Sequence, residues 1–128
     1  DPISAWIALC DVPVERGAMT FIPESHQKTD LPAQSLNDPR SLFTICPELE
    51  DWPRVTLPLK AGDCTFHHGR TAHMAAPNST DVSRLAHVVI YMDRETRYQG
   101  AAHVVTDPLE LKAGDRLDGP LFPEIPHE

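Results

Sequence analysis

The apolar positions of this chain fall in short bursts, most of them closed by a glycine or proline turn. Ile3 to Val12 is an apolar run around Trp6 that fits either a buried strand or a short helix. Glu15-Arg16-Gly17 reads as a turn, and Ala18 to Ile22 is a β-type run stopped by Pro23. The two runs are expected to form an antiparallel pair. Residues 24–52 hold no sustained period and carry Pro32, Pro39 and Pro47, which predicts a long loop with one helical turn near Ser41 to Thr44. Val55 to Leu59 alternates, Lys60 to Asp63 is a turn, and Cys64 to His68 is a further strand broken by Gly69-Arg70. Thr71 to Ala75 is a short segment, Pro77 to Asp81 is a turn cluster, and Arg84 to Met92 is the clearest strand. Residues 93–128 mix charge with Pro108, Pro120, Pro123 and Pro126 and read as a proline-rich tail over the surface. The pattern predicts a mostly β sandwich or barrel in a single domain, 1–128.

Composition narrows the function classes. The 128 residues suffice for one modest core. The 13 prolines against 6 glycines favour short strands and long loops. A formal net charge of -8 repels phosphate backbones and anionic lipid on average, so neither nucleic-acid nor membrane binding is expected. Cys10, Cys46 and Cys64 are odd in number and form no C-x-x-C, which argues against a disulfide framework or structural zinc and for a reducing, cytoplasmic setting. Cys10 and Cys64 lie in apolar strands, where a thiol is usually inert.

Histidine is the residue that brings chemistry. Four of the seven lie between His67 and His87, and imidazole is a common ligand of redox-active iron. His67 and His68 are adjacent, so on a strand they face opposite ways and at most one meets a common site. If Thr71 to Ala75 pairs with Arg84 to Val88, His73 and Arg84 approach one cavity, where the guanidinium could clamp a carboxylate.

The stretch Gly62-Asp63-Cys64-Thr65-Phe66-His67-His68-Gly69-Arg70-Thr71-Ala72-His73, continued by Ala76-Pro77-Asn78 and Arg84-Leu85-Ala86, resembles the distal iron-ligand strand of the phytanoyl-CoA dioxygenase family. In that family an arginine follows the distal histidine by eleven positions, the spacing from His73 to Arg84 here. Trp6-Ile7-Ala8-Leu9, Arg16-Gly17-Ala18-Met19 and Pro23-Glu24-Ser25-His26 resemble the family's upstream blocks, in the same order. The resemblance covers about Ala5 to Met92 and is to the C-terminal portion of such enzymes.

The resemblance implies a double-stranded β-helix of the jelly-roll or cupin type, incomplete at its N-terminal side. It implies an Fe(II)- and 2-oxoglutarate-dependent dioxygenase that hydroxylates a small organic substrate. His73 would be the distal iron ligand, Arg84 would hold the far carboxylate of 2-oxoglutarate, and Trp6 would wall the cosubstrate pocket. The 24–52 loop would be lid and substrate reader. His67, His68 and His87 are expected to be structural, with His26 bonding to the backbone in the turn of the Pro23–His26 block. Glu24, in place of that block's glycine, is expected to take negative φ. Ala75 stands where many relatives carry a hydroxyl near the cosubstrate. The family's other two ligands come from a His-x-Asp or His-x-Glu pair, and no histidine here is followed two positions later by Asp or Glu. The chain is therefore expected to be a fragment, inactive by itself. The alternatives are a self-associating jelly-roll piece, a homo-oligomer through exposed strand edges, and a cupin-like binding module that uses His67, His73 and His87 as its own metal site.

Overall fold

The structure, a computed structural model, describes residues 2–32, 38 and 40–126. The chain divides into two compact units, Asp1–Tyr91 and Met92–Glu128.

The first unit is built on two three-stranded antiparallel sheets. In one, β1 (Ile3–Ala8) lies between β4 (Cys64–His68) and β6 (Ala86–Tyr91). In the other, β2 (Met19–Phe21) lies between β3 (Val55–Leu57) and β5 (His73–Ala75). The ambiguous first segment is thus a strand, as its β-branched and aromatic content allows.

The expected pairing of this segment with the Ala18–Ile22 run is not formed. The two belong to different sheets, and the intervening chain makes an isolated bridge from Val12 to Leu59 before it turns through Gly17. Apart from β2 and β3, consecutive strands alternate between the sheets, as in a jelly-roll. Periodicity reports that a strand exists and which positions share a face, but it carries no information about its partner.

Register fixes the faces. Ser4 lies opposite His67 and Ile90, and Trp6 opposite Thr65 and Val88, so these six residues share one face of the first sheet. Phe21 lies opposite His73 and Val55, and Met19 opposite Ala75 and Leu57, on one face of the second. On the opposite face of the second sheet, the Thr20 and Thr56 hydroxyls bond at 2.8 Å.

Two small apolar clusters hold the unit. One joins Ala8, Val12 and Ala18, with Trp6, Cys10 and Leu59 packed against it. The other joins Ile22 and Ala72 to Cys46 and Leu49, with Leu42, Phe43 and Trp52 around them. The long loop is therefore anchored: Leu49 is fully buried. Its helical turn, α1 (Leu42–Ile45), is capped by Ser41, whose hydroxyl accepts from the Phe43 N–H at 3.2 Å. A 3-10 turn follows over Pro47–Asp51.

The described residues of the second unit form turns, a 3-10 turn over Asp107–Leu109 and an isolated bridge, Arg97 to Arg116. The Tyr98 N–H donates to the Asp115 carbonyl and the Gly114 N–H to that of Tyr98, both at 2.8 Å. Arg116 pairs with Glu124. Among the described residues, no helix is long and apolar enough to cross a membrane.

Candidate functional site

His73 opens β5, and the backbone before it is fastened from an unexpected direction. The Ser25 side chain is fully buried. Its hydroxyl donates to the Ile22 carbonyl at 2.7 Å and accepts from the Ala72 N–H at 2.8 Å. The Ile22 N–H donates to the Ala72 carbonyl at 2.9 Å. One hydroxyl thus ties the end of β2 to the residue preceding His73. This is the physical content of the Pro23–His26 block. Its Glu24 has a φ of 63°, in the left-handed region that glycine adopts freely, so the expected negative φ is overturned. The turn geometry is kept and the glutamate bears the strain. His26 stacks its ring 5.2 Å from that of His68, and the Arg70 N–H donates to His68 Nδ1 at 3.1 Å.

The His73 ring lies 5.8 Å from that of Phe21 and 5.0 Å from that of His67. Its Nδ1 is 2.8 Å from the Thr71 carbonyl oxygen. A carbonyl only accepts, so Nδ1 carries the hydrogen and the Nε2 lone pair is left to bind elsewhere. This is how a second partner fixes the tautomer of a metal-binding imidazole.

His67, expected to be structural, faces His73. Its ring lies 5.1 Å from Phe21, and its Nδ1 is buried with no partner among the described residues. Burial, and then the neighbouring His73, lower its pKa and favour the neutral ring. Strand alternation could say that one of His67 and His68 faces inward; only the pairing with β1 says which.

Arg84 precedes β6 by two residues. The anticipated pairing of Thr71–Ala75 with Arg84–Val88 is absent, since β5 pairs with β2 and β6 with β1. Arg84 is placed instead by two other contacts. Its guanidinium donates to the Gly17 carbonyl, and its Cζ lies 5.9 Å from the centre of the Trp6 ring. Gly17 has a φ of +80°, and a Cβ there would meet the Ala76 carbonyl oxygen at 2.6 Å and the Arg84 Nη1 at 3.3 Å. Trp6 follows Ser4, the partner of His67, by two residues on the same face. The Arg84–Trp6 pair and the His67–His73 pair are therefore set about 7 Å apart along β1.

The fit to a metal is one-sided. Among the described residues no group of three His, Cys, Asp or Glu side chains could hold an ion. His87 lies opposite Ile7, on the face away from His67, so a site made of His67, His73 and His87 is excluded. His73 offers one prepared nitrogen and, among the described residues, belongs to no ion-holding group of three.

The strand topology is that of a jelly-roll, and it carries an imidazole and an arginine near one another. The phytanoyl-CoA dioxygenase (PhyH) family model matches residues 2–86, and the chain belongs to that family. Phytanoyl-CoA dioxygenase domain-containing protein 1 of Danio rerio is 28% identical over 99 residues, 73% of this chain and 34% of the relative. The Mus musculus protein of that name is 31% identical over 96 residues, 71% of this chain and 33% of the relative. Among solved structures, the non-haem α-ketoglutarate-dependent carbocyclase SnoK from nogalamycin biosynthesis superposes with a TM-score of 0.80 at 45% identity, over 95% of this chain and 47% of that one. The epimerase SnoN, in complex with Fe3+, α-ketoglutarate and nogalamycin RO, gives 0.69 at 43% identity, over 92% of this chain and 48% of that one. The chain spans about a third of the length of the curated relatives and about half of these solved ones.

Proposed function

We propose that this chain supplies one side of the active site of an Fe(II)- and 2-oxoglutarate-dependent oxygenase acting on a small organic molecule. His73 would bind the iron through Nε2, Arg84 would take the far carboxylate of 2-oxoglutarate, and Trp6 would wall that pocket. The observation that carries this reading is the bond from His73 Nδ1 to the Thr71 carbonyl, which leaves the ligand nitrogen prepared. Arg84 supports it: a guanidinium has five donors, and the Gly17 carbonyl occupies one of them. The His-x-carboxylate pair needed to complete a facial triad would come from strands other than these six. When bound, iron and 2-oxoglutarate supply O₂ activation and oxidation of a C–H bond. The chain's own part is to fix the imidazole, clamp the cosubstrate and keep its surroundings apolar with Met19, Phe21 and Trp6. The similarity to a carbocyclase and an epimerase of nogalamycin biosynthesis favours a natural-product substrate, with ring closure or inversion as outcomes beside hydroxylation.

The test needs no turnover. Mn(II) titrated into the chain is expected to broaden the His73 resonances first, an effect lost in His73→Ala and kept in His87→Ala. 2-Oxoglutarate is expected to shift the Arg84 Nε and Trp6 indole signals, and to do so no longer in Arg84→Gln. Broadening centred elsewhere, or cosubstrate shifts that survive Arg84→Gln, would overturn the assignment.

A second reading rests on one observation. Phe66 in the edge strand β4 is 69% exposed, and Val88 and Ile90 in the edge strand β6 are 49% and 50% exposed. Such surfaces favour self-association through strand edges. Sedimentation that shows a monomer at every concentration would sink it.

A further inference from the structure

A cleft of about 290 Å³ adjoins His73, lined by Thr20, Ser41, Phe43, Arg54, His73 and Met74 among others. That volume is at the lower end of small-molecule sites. Most of its wall is apolar, with Ile22 and Leu42 completing it. Two arginines border it, and their situations differ. Arg40 is bound by Asp38 at 2.6 Å, which neutralises it. Arg54 lies with its Cζ 4.4 Å from the centre of the Phe43 ring and donates to the Glu50 carbonyl at 2.8 Å. Both contacts orient the guanidinium and neither cancels its charge. Arg54 has no carboxylate partner among the described residues, in a chain whose net charge is -8.

A guanidinium held over an aromatic ring, at the edge of an apolar cleft, suits an apolar ring body that carries an anionic oxygen. We infer that this cleft binds an aromatic or alicyclic carboxylate or phenolate, its anion on Arg54 and its ring body against Phe43 and Met74. Thr20 and Met74 are partners on the face of the second sheet opposite the one that Phe21 and His73 share, so the ligand sits apart from the proposed iron site. The binding itself requires neither metal nor cosubstrate.

2-Naphthoate, titrated into the full chain and followed by NMR, is the probe. It is expected to shift the Thr20 amide, Arg54 Nε and Met74 methyl signals. Arg54→Gln, at an exposed position where folding is not at risk, is expected to weaken it at least tenfold, and Arg54→Lys by less. The neutral ketone 2-acetonaphthone is expected to bind at least tenfold more weakly than the acid. Arg84→Gln is expected to leave naphthoate binding unchanged, and saturating 2-oxoglutarate not to displace it. Equal binding of acid and ketone, indifference to Arg54→Gln, displacement by 2-oxoglutarate, or no shifts at all would each overturn the inference. Naphthoate binding as described, with no cosubstrate shifts at Arg84, would leave this site standing and defeat the oxygenase reading alone.

Discussion

Arg84 donates to the carbonyl oxygen of Gly17, 67 residues away in sequence, and that glycine is the one residue type its position admits. Gly17→Ala would place a Cβ 2.6 Å from the Ala76 carbonyl at a φ of +80°. The substitution is expected to cost about 1–3 kcal/mol of stability in urea denaturation. It should also weaken the 2-oxoglutarate shift at Trp6, because Arg84 loses its anchor. A stable variant with the full shift would show that the contact does not position Arg84.

Arg84→Lys keeps the charge and gives up the planar fork. An ammonium cannot hold the Gly17 carbonyl and a carboxylate in the same fixed plane. The loss of one charge-assisted hydrogen bond, about 1.5–3 kcal/mol, predicts 2-oxoglutarate binding at least roughly tenfold weaker in a calorimetric or NMR titration. Undiminished affinity would mean that charge alone suffices.

Ser25→Ala removes a fully buried hydroxyl and leaves the Ala72 N–H without its 2.8 Å acceptor. The expected cost is about 1–3 kcal/mol, the penalty of an unsatisfied buried group. The readout that separates positioning from bulk stability is the His73 amide and ring signals under native conditions, which should move in this variant.

Acid should weaken the loop anchor at Glu48. Its own backbone N–H, and then the Lys28 ammonium at 3.0 Å, lower its pKa from 4.5 to about 2. The folded value lies below the unfolded one, so the stabilisation is present above pH 4.5 and is lost as pH falls toward 2. Urea midpoints of the wild type and Glu48→Gln should therefore differ at neutral pH and converge near pH 2. A constant gap across that range would remove Glu48 from the account.

Much of the strand inventory was legible, because short β-rich runs bounded by turn residues leave few other options. The helical turn anticipated near Ser41 to Thr44 is α1, one residue further on. Partner choice was not legible. Ile3–Ala8 and Met19–Phe21 follow one another in sequence but lie in different sheets, and the supposed neighbour of Thr71–Ala75 pairs with β1 instead. Nothing local encodes that decision, which is made by burial across the whole unit. The same gap hid His67, whose inward orientation depends on register with Ser4. Glu24 misled for another reason: the sequence shows a residue that disfavours positive φ, while the turn that brings Ser25 to Ala72 requires it. Resemblance singled out His73, Arg84 and Trp6, and the Arg84–Trp6 contact brings two of them together along a route the strand pattern did not predict.

The position of β1 between β4 and β6 also has a kinetic meaning. Its partners are synthesised long after it, and Trp6 meets Thr65 and Val88 only when distant loops have closed. Folding should be slow for a chain of this size. Hydrogen exchange at the β1 amides is then expected to proceed through a single global event.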